Sequence, residues 1–132
     1  VIETAAIKKA LGGQAYRTPI SSFKAALGHA FAASGAFQVV GTALVLTHQF
    51  IPPTLNLTDP DPDCDLDYVA GVGRPARVDR ALINSFGFGG KNIVLALSRP
   101  NRACRISDGR PSETRREERV LVGSFHEGGG QA

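Results

Sequence analysis

The feature that most constrains the fold is a long segment without charged side chains. After Lys24 no Lys, Arg, Asp or Glu occurs until Asp59, and residues 29–47 within this segment are apolar on nearly every face of a helix. Such a helix is either buried on all sides or embedded in a membrane. A membrane span needs about 20 strongly apolar residues, whereas this helix contains polar side chains and lacks basic anchors. The sequence therefore predicts a buried central helix and no membrane span.

The composition fits one small domain or part of a larger one. The 132 residues are 42% hydrophobic and carry a formal net charge of +3, with basic and acidic residues interspersed. Nucleic-acid binding is disfavoured because it needs a clustered positive surface. Residues 1–10 lack a basic segment leading into an apolar run, so we expect no signal peptide and a cytoplasmic location. The chain begins with Val1 and is helical from its first residues, which suggests a processed product or a fragment.

The other segments predict a mixture of helix and strand. Residues 2–11 are expected to form a helix, because Glu3 suits its first turn and Lys8 its last. Short strands are expected at residues 15–20, 67–70, 80–85 and 92–98. Residues 100–132 contain six Arg, five acidic residues and five Gly, which predicts a flexible tail with at most a few ordered residues at 120–122. The chain looks like half of a layered α/β structure.

Lys24 and His29 are the first candidates for a functional site. On a continuous helix they would lie about 140° apart around the axis, so they face one cavity only if Gly28 ends a loop and His29 opens the helix. A helix N-terminus disfavours imidazolium, so His29 would then be a neutral N–H donor. Spacing alone favours a different interpretation, in which a capping or core histidine lies beside a surface lysine.

The turn at residues 84–90, NSFGFGG, is the second candidate. Glycines on both sides of Phe88 would let its backbone N–H point into a pocket, as an oxyanion donor must. Taken alone, the turn is better interpreted as a plain connection between two strands. Its glycine spacing does not match the nucleotide-binding pattern GxGxxG.

The acidic segment at residues 59–67, DPDPDCDLD, predicts no metal site. An EF-hand loop starting at Asp59 would need Gly and an acidic residue where Cys64 and Ala70 stand. Cys64 is not expected to be a nucleophile, because its acidic neighbours suppress the thiolate. Cys104 lies in the predicted tail without a pocket, so neither cysteine is assigned a catalytic role.

Four segments, taken together, resemble a known family. SSFKAALGHAFAASGA, IPPTLNL, DPDCDLDYV and NSFGFGGKN follow one another as in the C-terminal half of KAS II-like β-ketoacyl-(acyl carrier protein) synthases, and the resemblance covers residues 1–99. It implies an α/β, thiolase-like fold with layers α-β-α-β-α, of which this chain holds only the C-terminal half. Residues 1–99 would be that half, and residues 100–132 the flexible tail.

The resemblance also implies an activity, that of an acyltransferase. The family performs a decarboxylative Claisen condensation of an acyl thioester with malonyl-(acyl carrier protein), in fatty acid or polyketide synthesis. By motif, His29 would be the second histidine that donates to the malonyl thioester carbonyl, and Lys24 the lysine that supports the histidines. Phe88 would supply an oxyanion-hole N–H, while its ring gates the acyl pocket beside Phe86. Neither a cofactor nor a metal is implied.

The implied partners are macromolecules. They are the acyl carrier protein bearing acyl and malonyl groups, the missing N-terminal half of the synthase, and a second chain in a homodimer or heterodimer. The nucleophilic cysteine and the first catalytic histidine are expected in a segment absent here, so the chain alone should be catalytically incomplete.

Two residues depart from the family pattern. Gln38 stands where fatty acid synthases commonly carry a Glu that faces the lysine, and Lys91 replaces the small hydroxyl residue of GGTN. These departures leave two alternatives open. In one, the chain is a non-catalytic partner of a ketosynthase, similar to a chain-length factor. In the other, it is an inactive truncated product.

Overall fold

A computed structural model describes residues 1–100 and 120–126 of the chain. For residues 124–126 it describes the backbone only. Its helices are α1 (Ile2–Leu11), α2 (Lys24–Leu27) and α3 (Ser34–His48), and short 3₁₀ helices span Gly12–Arg17 and Phe31–Ala33. The strands are β1 (Ile20–Ser21), β2 (Phe50–Ile51), β3 (Arg74–Pro75), β4 (Arg80–Gly87), β5 (Lys91–Ser98) and β6 (Val120–His126).

A mixed sheet of four strands, in the order β1-β6-β4-β5, forms the centre of the fold. β4 and β5 are an antiparallel hairpin, in register from Arg80 opposite Ser98 to Gly87 opposite Lys91. β6 runs parallel to β1 on one side and to β4 on the other. β2 and β3 pair separately as a short antiparallel ribbon.

The helices α1 and α3 cover opposite faces of this sheet. Successive residues of a strand point to opposite faces, and Ala81 of β4 packs with Val45 of α3, whereas Leu82 packs in the cluster that contains Ile7 of α1. The described residues therefore form three layers, with the sheet between α1 and α3. These correspond to part of the five layers expected from the resemblance.

Only one side of α3 is buried. Its sheet-facing residues are Ser34, Gln38, Thr42, Val45 and Leu46. On the other side Phe37, Val40 and Leu44 are 49%, 59% and 53% exposed. The prediction of a helix buried on all sides is therefore wrong for this chain by itself, because one sheet covers one side of a helix. The second apolar side has no cover among the described residues.

The segment Phe31–His48 has a mean hydropathy of 1.3 and is long and apolar enough, by length and composition alone, to cross a membrane. Its contacts argue for a different interpretation. α3 packs along β4, β5 and β6 and also touches β2. A helix that buries one side against a sheet in this way is typical of the core of an α/β domain.

The predicted strands at residues 15–20 and 67–70 differ from the structure. Half of the first, residues 15–17, lies in the 3₁₀ helix that ends at Arg17, where Thr18 Oγ1 donates to Gln14 O at 2.9 Å, and only Ile20 belongs to a strand. In the second, Val69 has a φ of 47°, which interrupts an extended strand. Only Ala70 pairs there, in an isolated bridge to Thr54.

β6 is the largest difference between the sequence prediction and the structure. Residues 120–122 were expected to add at most a few ordered residues to a tail, whereas Val120–His126 is a seven-residue strand inside the sheet. Leu121 and Val122 are each 1% exposed. Two apolar side chains that point to opposite faces suit a position between two helical layers. Residues 101–119 and 127–132, also assigned to the tail, lie outside the described residues.

Candidate functional site

Lys24 opens the short helix α2 instead of lying in the predicted loop. The helix ends at Gly28, whose N–H donates to Lys24 O at 2.8 Å. Gly28 has a φ of 75°, a conformation that favours glycine. The glycine therefore reverses the chain directly after α2, between Lys24 and His29.

A shallow cleft that is open to solvent contains Lys24 in its wall. Its lining residues come from two elements, α2 with its flanks and the first turns of α3: Phe23, Lys24, Leu27, Gly28, Ser34, Phe37 and Gln38. Lys24 and Gln38 thus line the same cleft, the arrangement expected if Gln38 stands at the position that faces the lysine. A neutral amide at this place supplies polarity without a negative charge.

Gly41 allows the residue before Lys24 to pack closely on α3. A Cβ atom built on Gly41 would lie 2.6 Å from Cε2 of the Phe23 ring, closer than real Cβ contacts. The absence of a side chain at Gly41 therefore lets Phe23 anchor α2 against α3. Sequence reasoning missed this role, although a glycine inside a helix is itself a signal of close packing.

His29 lies in an exposed loop, and α3 begins only at Ser34. The prediction that His29 opens the central helix is therefore wrong. Its Nδ1 accepts a hydrogen bond from the backbone N–H of Phe31 at 2.9 Å, and the two rings lie 4.8 Å apart. Since Nδ1 is the acceptor, this hydrogen bond assigns the ring proton to Nε2. The orientation of the His29 ring is thus set by the Phe31 N–H and not by a helix N-terminus.

Phe88 is at the tip of the β4–β5 hairpin and is 69% exposed. Gly89 and Gly90 each have a φ of 76°, as the glycine-rich turn predicted, and a strand follows them. Phe86 is partly buried in β4. Neither phenylalanine lines the cleft of Lys24 among the described residues.

Asn84 connects this hairpin to α1. It is buried in β4, and its Nδ2 donates to Glu3 Oε1 at 3.1 Å. The bond fixes the first turn of α1 against β4, two residues before Phe86. Sequence reasoning used Glu3 only as an acidic residue in the first turn of a helix and missed Asn84, whose signal was an amide following the apolar residues 81–83.

The acidic segment forms ion pairs within the fold. Asp65 pairs with Lys8 of α1, and Asp67 with Arg74 of β3. Hydrogen bonding to Lys8 lowers the pKa of Asp65, and the same bond raises the pKa of Lys8. Within residues 1–100 and 120–126, no three His, Cys, Asp or Glu side chains are grouped to hold a metal ion.

Cys64 lies on the side of the sheet that α1 covers. Thr4 Oγ1 of α1 is 3.4 Å from its Sγ, and Thr4 also hydrogen-bonds Tyr68. Burial raises the pKa of Tyr68. α3 lies on the opposite face, so Cys64 is separated by the sheet from the helix that follows His29. Cys104 lies outside the described residues.

Comparison with known proteins gives consistent matches. Residues 1–58 match the family "Beta-ketoacyl synthase, C-terminal domain". The chain is 50% identical over 99 residues to 3-oxoacyl-[acyl-carrier-protein] synthase 2 of Synechocystis sp., covering 75% of this chain and 24% of that protein. It is 48% identical over 98 residues to the tetracenomycin polyketide synthase ketoacyl synthase alpha subunit of Streptomyces glaucescens. That alignment covers 74% of this chain and 23% of the relative.

Two solved structures are similar as well. A chain of the AntDE:AntF complex, a type II PKS acyl-carrier protein with its ketosynthase bound to the hexaketide, gives a TM-score of 0.71 at 42% identity. The match covers 73% of this chain and 24% of that one. The ishigamide ketosynthase/chain length factor gives a TM-score of 0.67 at 37% sequence identity. That match covers 73% of this chain and 23% of the other chain. These likenesses confirm the predicted thiolase-like α/β fold, although the chain spans about a quarter, and not half, of each relative.

Proposed function

We propose that this chain, whose residues 1–58 match the C-terminal domain of β-ketoacyl synthases, forms one wall of a decarboxylative condensing site in fatty acid or polyketide synthesis. The resemblance predicted from the four sequence segments is confirmed by the family match and by relatives of both pathways. Because the chain spans about a quarter of those relatives, the nucleophilic cysteine and the first histidine are assigned to the remainder of the synthase.

The hydrogen bond from Phe31 N–H to His29 Nδ1 is the observation that carries the proposal. With Nδ1 engaged as an acceptor, the proposal gives the ring proton to Nε2, which then serves as the N–H donor. Decarboxylation of the malonyl thioester places negative charge on its carbonyl oxygen, and a donor already oriented toward that oxygen lowers the barrier. In this proposal His29 stabilises the enolate, which then attacks the acyl thioester on the missing cysteine.

Lys24 acts beside His29 in this scheme. It lines the cleft with Gln38, which stands at the position where fatty acid synthases commonly carry a carboxylate. The cation adds to the positive potential that favours an enolate. Phe88 contributes its backbone N–H to the oxyanion hole of the condensation step, and its exposed ring gates the acyl pocket with Phe86.

Carrier protein and ketosynthase chains are the proposed partners. The AntDE:AntF structure contains an acyl-carrier protein with its ketosynthase, which supports an acyl carrier protein as donor of the acyl and malonyl groups. A homodimer or heterodimer in the cytoplasm completes the proposed assembly. A second candidate function is a non-catalytic, chain-length-factor-like subunit, favoured by Gln38 and by the likeness to a ketosynthase/chain length factor. Retention of Lys24 and His29 supports the catalytic function.

A chimera tests the catalytic proposal. Residues 1–99 of this chain replace the 99 aligned residues of the Synechocystis synthase, and condensation of acyl- and malonyl-carrier protein is measured. We expect an active chimera that loses about 10²- to 10³-fold in kcat with His29→Ala, the usual effect of removing one oxyanion donor. The unmodified chain by itself should release no carbon dioxide from malonyl-carrier protein above background.

His48→Ala is the matched control, because His48 is an exposed histidine at the other end of α3. It should leave kcat within about two-fold, as surface substitutions change free energies by about 0.5 kcal/mol or less. An active chimera that tolerates His29→Ala as well as His48→Ala would refute the role of His29. A folded but inactive chimera, with the carrier protein still bound, would favour the non-catalytic function.

A further inference from the structure

Phe31 has a strained backbone conformation two residues after His29. Its φ is 47°, in the left-handed region that a bulky side chain rarely adopts. Its ring is 72% exposed, so burial against the described residues offsets little of this cost. Strained residues persist where their surroundings hold them in place, and they cluster at functional sites. The strain at Phe31 therefore calls for a functional explanation.

Phe31 contacts the side chain of His29 in two ways. Its backbone N–H donates to His29 Nδ1 at 2.9 Å. Its ring lies 4.8 Å from the imidazole, centroid to centroid, at an interplanar angle of 37°, which is within the range of attractive aromatic pairs. Since φ is the rotation about the N–Cα bond, the positive φ decides where the ring lies once the N–H is bonded to Nδ1. In the strained conformation the same residue supplies both contacts.

The two contacts restrain different motions of the imidazole. The χ2 rotation of a histidine has broad, roughly two-fold preferences. The hydrogen bond selects one of the two orientations, because after a half-turn a carbon atom of the imidazole would face the Phe31 N–H. It leaves some swing around that orientation, since hydrogen bonds tolerate a range of angles. The Phe31 ring lies beside the imidazole and limits this swing.

We propose that Phe31 is a positioning residue, whose ring holds the His29 imidazole so that Nε2 is directed at the malonyl thioester oxygen. This role rests on the proposed function of His29, whereas the restraint on the imidazole is a property of the chain itself. Phe31 touches no reacting atom in this scheme and acts through His29 alone. A misplacement of about 1 Å can cost about 10²-fold in rate, so even one aromatic contact that narrows the position of a donor should affect kcat.

NMR of the full chain tests the restraint without any catalysis. Phe31→Leu keeps the backbone N–H, a bulky apolar side chain and the strain, and it removes the aromatic ring. We expect the order parameter of the His29 ring C–H bonds to fall in Phe31→Leu and to be kept in Phe31→Tyr. The ring of His48, at the other end of α3, is the internal control and should not change. The urea midpoint of Phe31→Leu should stay the same, because the ring is exposed.

Kinetics of the chimera with the Synechocystis synthase test the consequence for the reaction. Phe31→Leu should lower kcat about 2- to 10-fold, the range of one aromatic pair, with an unchanged KM for malonyl-carrier protein. Phe31→Tyr should retain kcat. In the His29→Ala chimera, Phe31→Leu should cause no further loss, because it acts through His29. Phe50→Leu is the control, since Phe50 is 44% exposed in β2 beyond the other end of α3, and it should leave kcat unchanged.

Two results would overturn the role of Phe31 while His29 keeps its own. One is an order parameter of the His29 ring that Phe31→Leu does not change. The other is a loss of kcat that is equally large with His29 and with His29→Ala. An active chimera that tolerates His29→Ala would instead refute the proposed function and, with it, the catalytic purpose of the contact. A lower order parameter in Phe31→Leu would then still show that Phe31 restrains His29.

Discussion

His29 shows how a single backbone group can orient a side chain and occupy one of its acceptor atoms. The sequence indicated a neutral histidine because of a helix N-terminus, but the helix starts five residues later. The Phe31 N–H instead makes Nδ1 the acceptor locally, by donating to it. The function proposed for His29 therefore depends on the geometry of the loop at residues 28–31 and less on α3.

Replacing Gly35 or Gly41 of α3 by alanine should change the free energy of unfolding in opposite directions. Alanine favours a helix over glycine by about 1 kcal/mol, and Gly35 has open space around its Cβ position, so Gly35→Ala should raise the free energy of unfolding. Gly41→Ala should lower it, because the new methyl group would lie 2.6 Å from the Phe23 ring. Urea denaturation of both variants measures the difference. Equal stabilisation by both alanines would show that Phe23 does not pack on Gly41.

The Lys8–Asp65 ion pair predicts a pH dependence of stability. The pKa of Asp65 is lowered from 3.8, so its contribution is present above that value and is lost as the pH falls through the lower folded value. The pKa of Lys8 is raised from 10.5, so its contribution is present below 10.5 and is lost as the pH rises through the higher folded value. Lys8→Met should therefore lower the urea midpoint at pH 7.

The loss caused by Lys8→Met should shrink near pH 3, and it should be small in high salt because the pair is on the surface. Lys9→Met, one residue further along the same helix, is the control for helix propensity and net charge. A midpoint difference between the two variants that stays constant from pH 3 to pH 7 would contradict a contribution from the ion pair.

At the level of elements, a stability measurement tests whether residues 120–126 form the strand β6 or part of a tail. Leu121 is 1% exposed between the sheet and α3, so Leu121→Ala should lower the free energy of unfolding by about 2–4 kcal/mol. Leu95→Ala is the matched substitution in the edge strand β5, where the side chain is 42% exposed. It should cost about 1 kcal/mol or less. A Leu121→Ala variant as stable as the unmodified chain would mean that residues 120–126 do not pack in the sheet.

Local patterns predicted α1 and the β4–β5 hairpin well. α1 has its charges at the expected ends and spans the expected residues, and the glycine-rich turn at residues 87–90 joins two long strands as predicted. β6 was underestimated, because its place is determined by a gap between distant strands and its own seven residues are surrounded by polar ones. The 3₁₀ helix at Gly12–Arg17 depends on a side-chain bond of Thr18 that no periodicity reveals.

The residues of the candidate site stay a prediction from the resemblance, and their geometry could not be derived from the sequence. The family resemblance identified Lys24, His29 and the Phe88 turn, and the structure places Lys24 with Gln38 in one cleft. The start of α3 was placed too early, because residues 29–33 are as apolar as the helix that follows and the sequence has no capping residue before Ser34 to mark the boundary. Asn84 was missed because its partner, Glu3, is 81 positions away.

For the whole molecule, the exposed side of α3 bears on the proposal that this chain is part of a synthase. Phe37, Val40 and Leu44 form an apolar stripe along α3, since they are spaced at three and four residues. Exposed apolar stripes of this kind mark surfaces that another part of a protein covers. We expect the remainder of the synthase to cover this stripe.

Val40→Ser tests this expectation in two settings. In the chain by itself, the substitution should change the free energy of unfolding by about 0.5 kcal/mol or less, since Val40 is 59% exposed. It should also reduce the fluorescence of a bound apolar dye. In the chimera with the Synechocystis synthase, the same substitution should cost about 1.5–3 kcal/mol, the range for burying such a side chain, because the stripe is covered there.

Val72→Ser is the control, because Val72 is 80% exposed in a loop away from α3. It should be nearly neutral in both settings. The informative quantity is the difference between the two settings for each substitution, since this difference removes the intrinsic effect of exchanging valine for serine. A large difference for Val40 with none for Val72 would show that the remainder of the synthase packs on α3. Equal differences would mean that the stripe stays exposed in the complete protein and that α3 is not a central helix there.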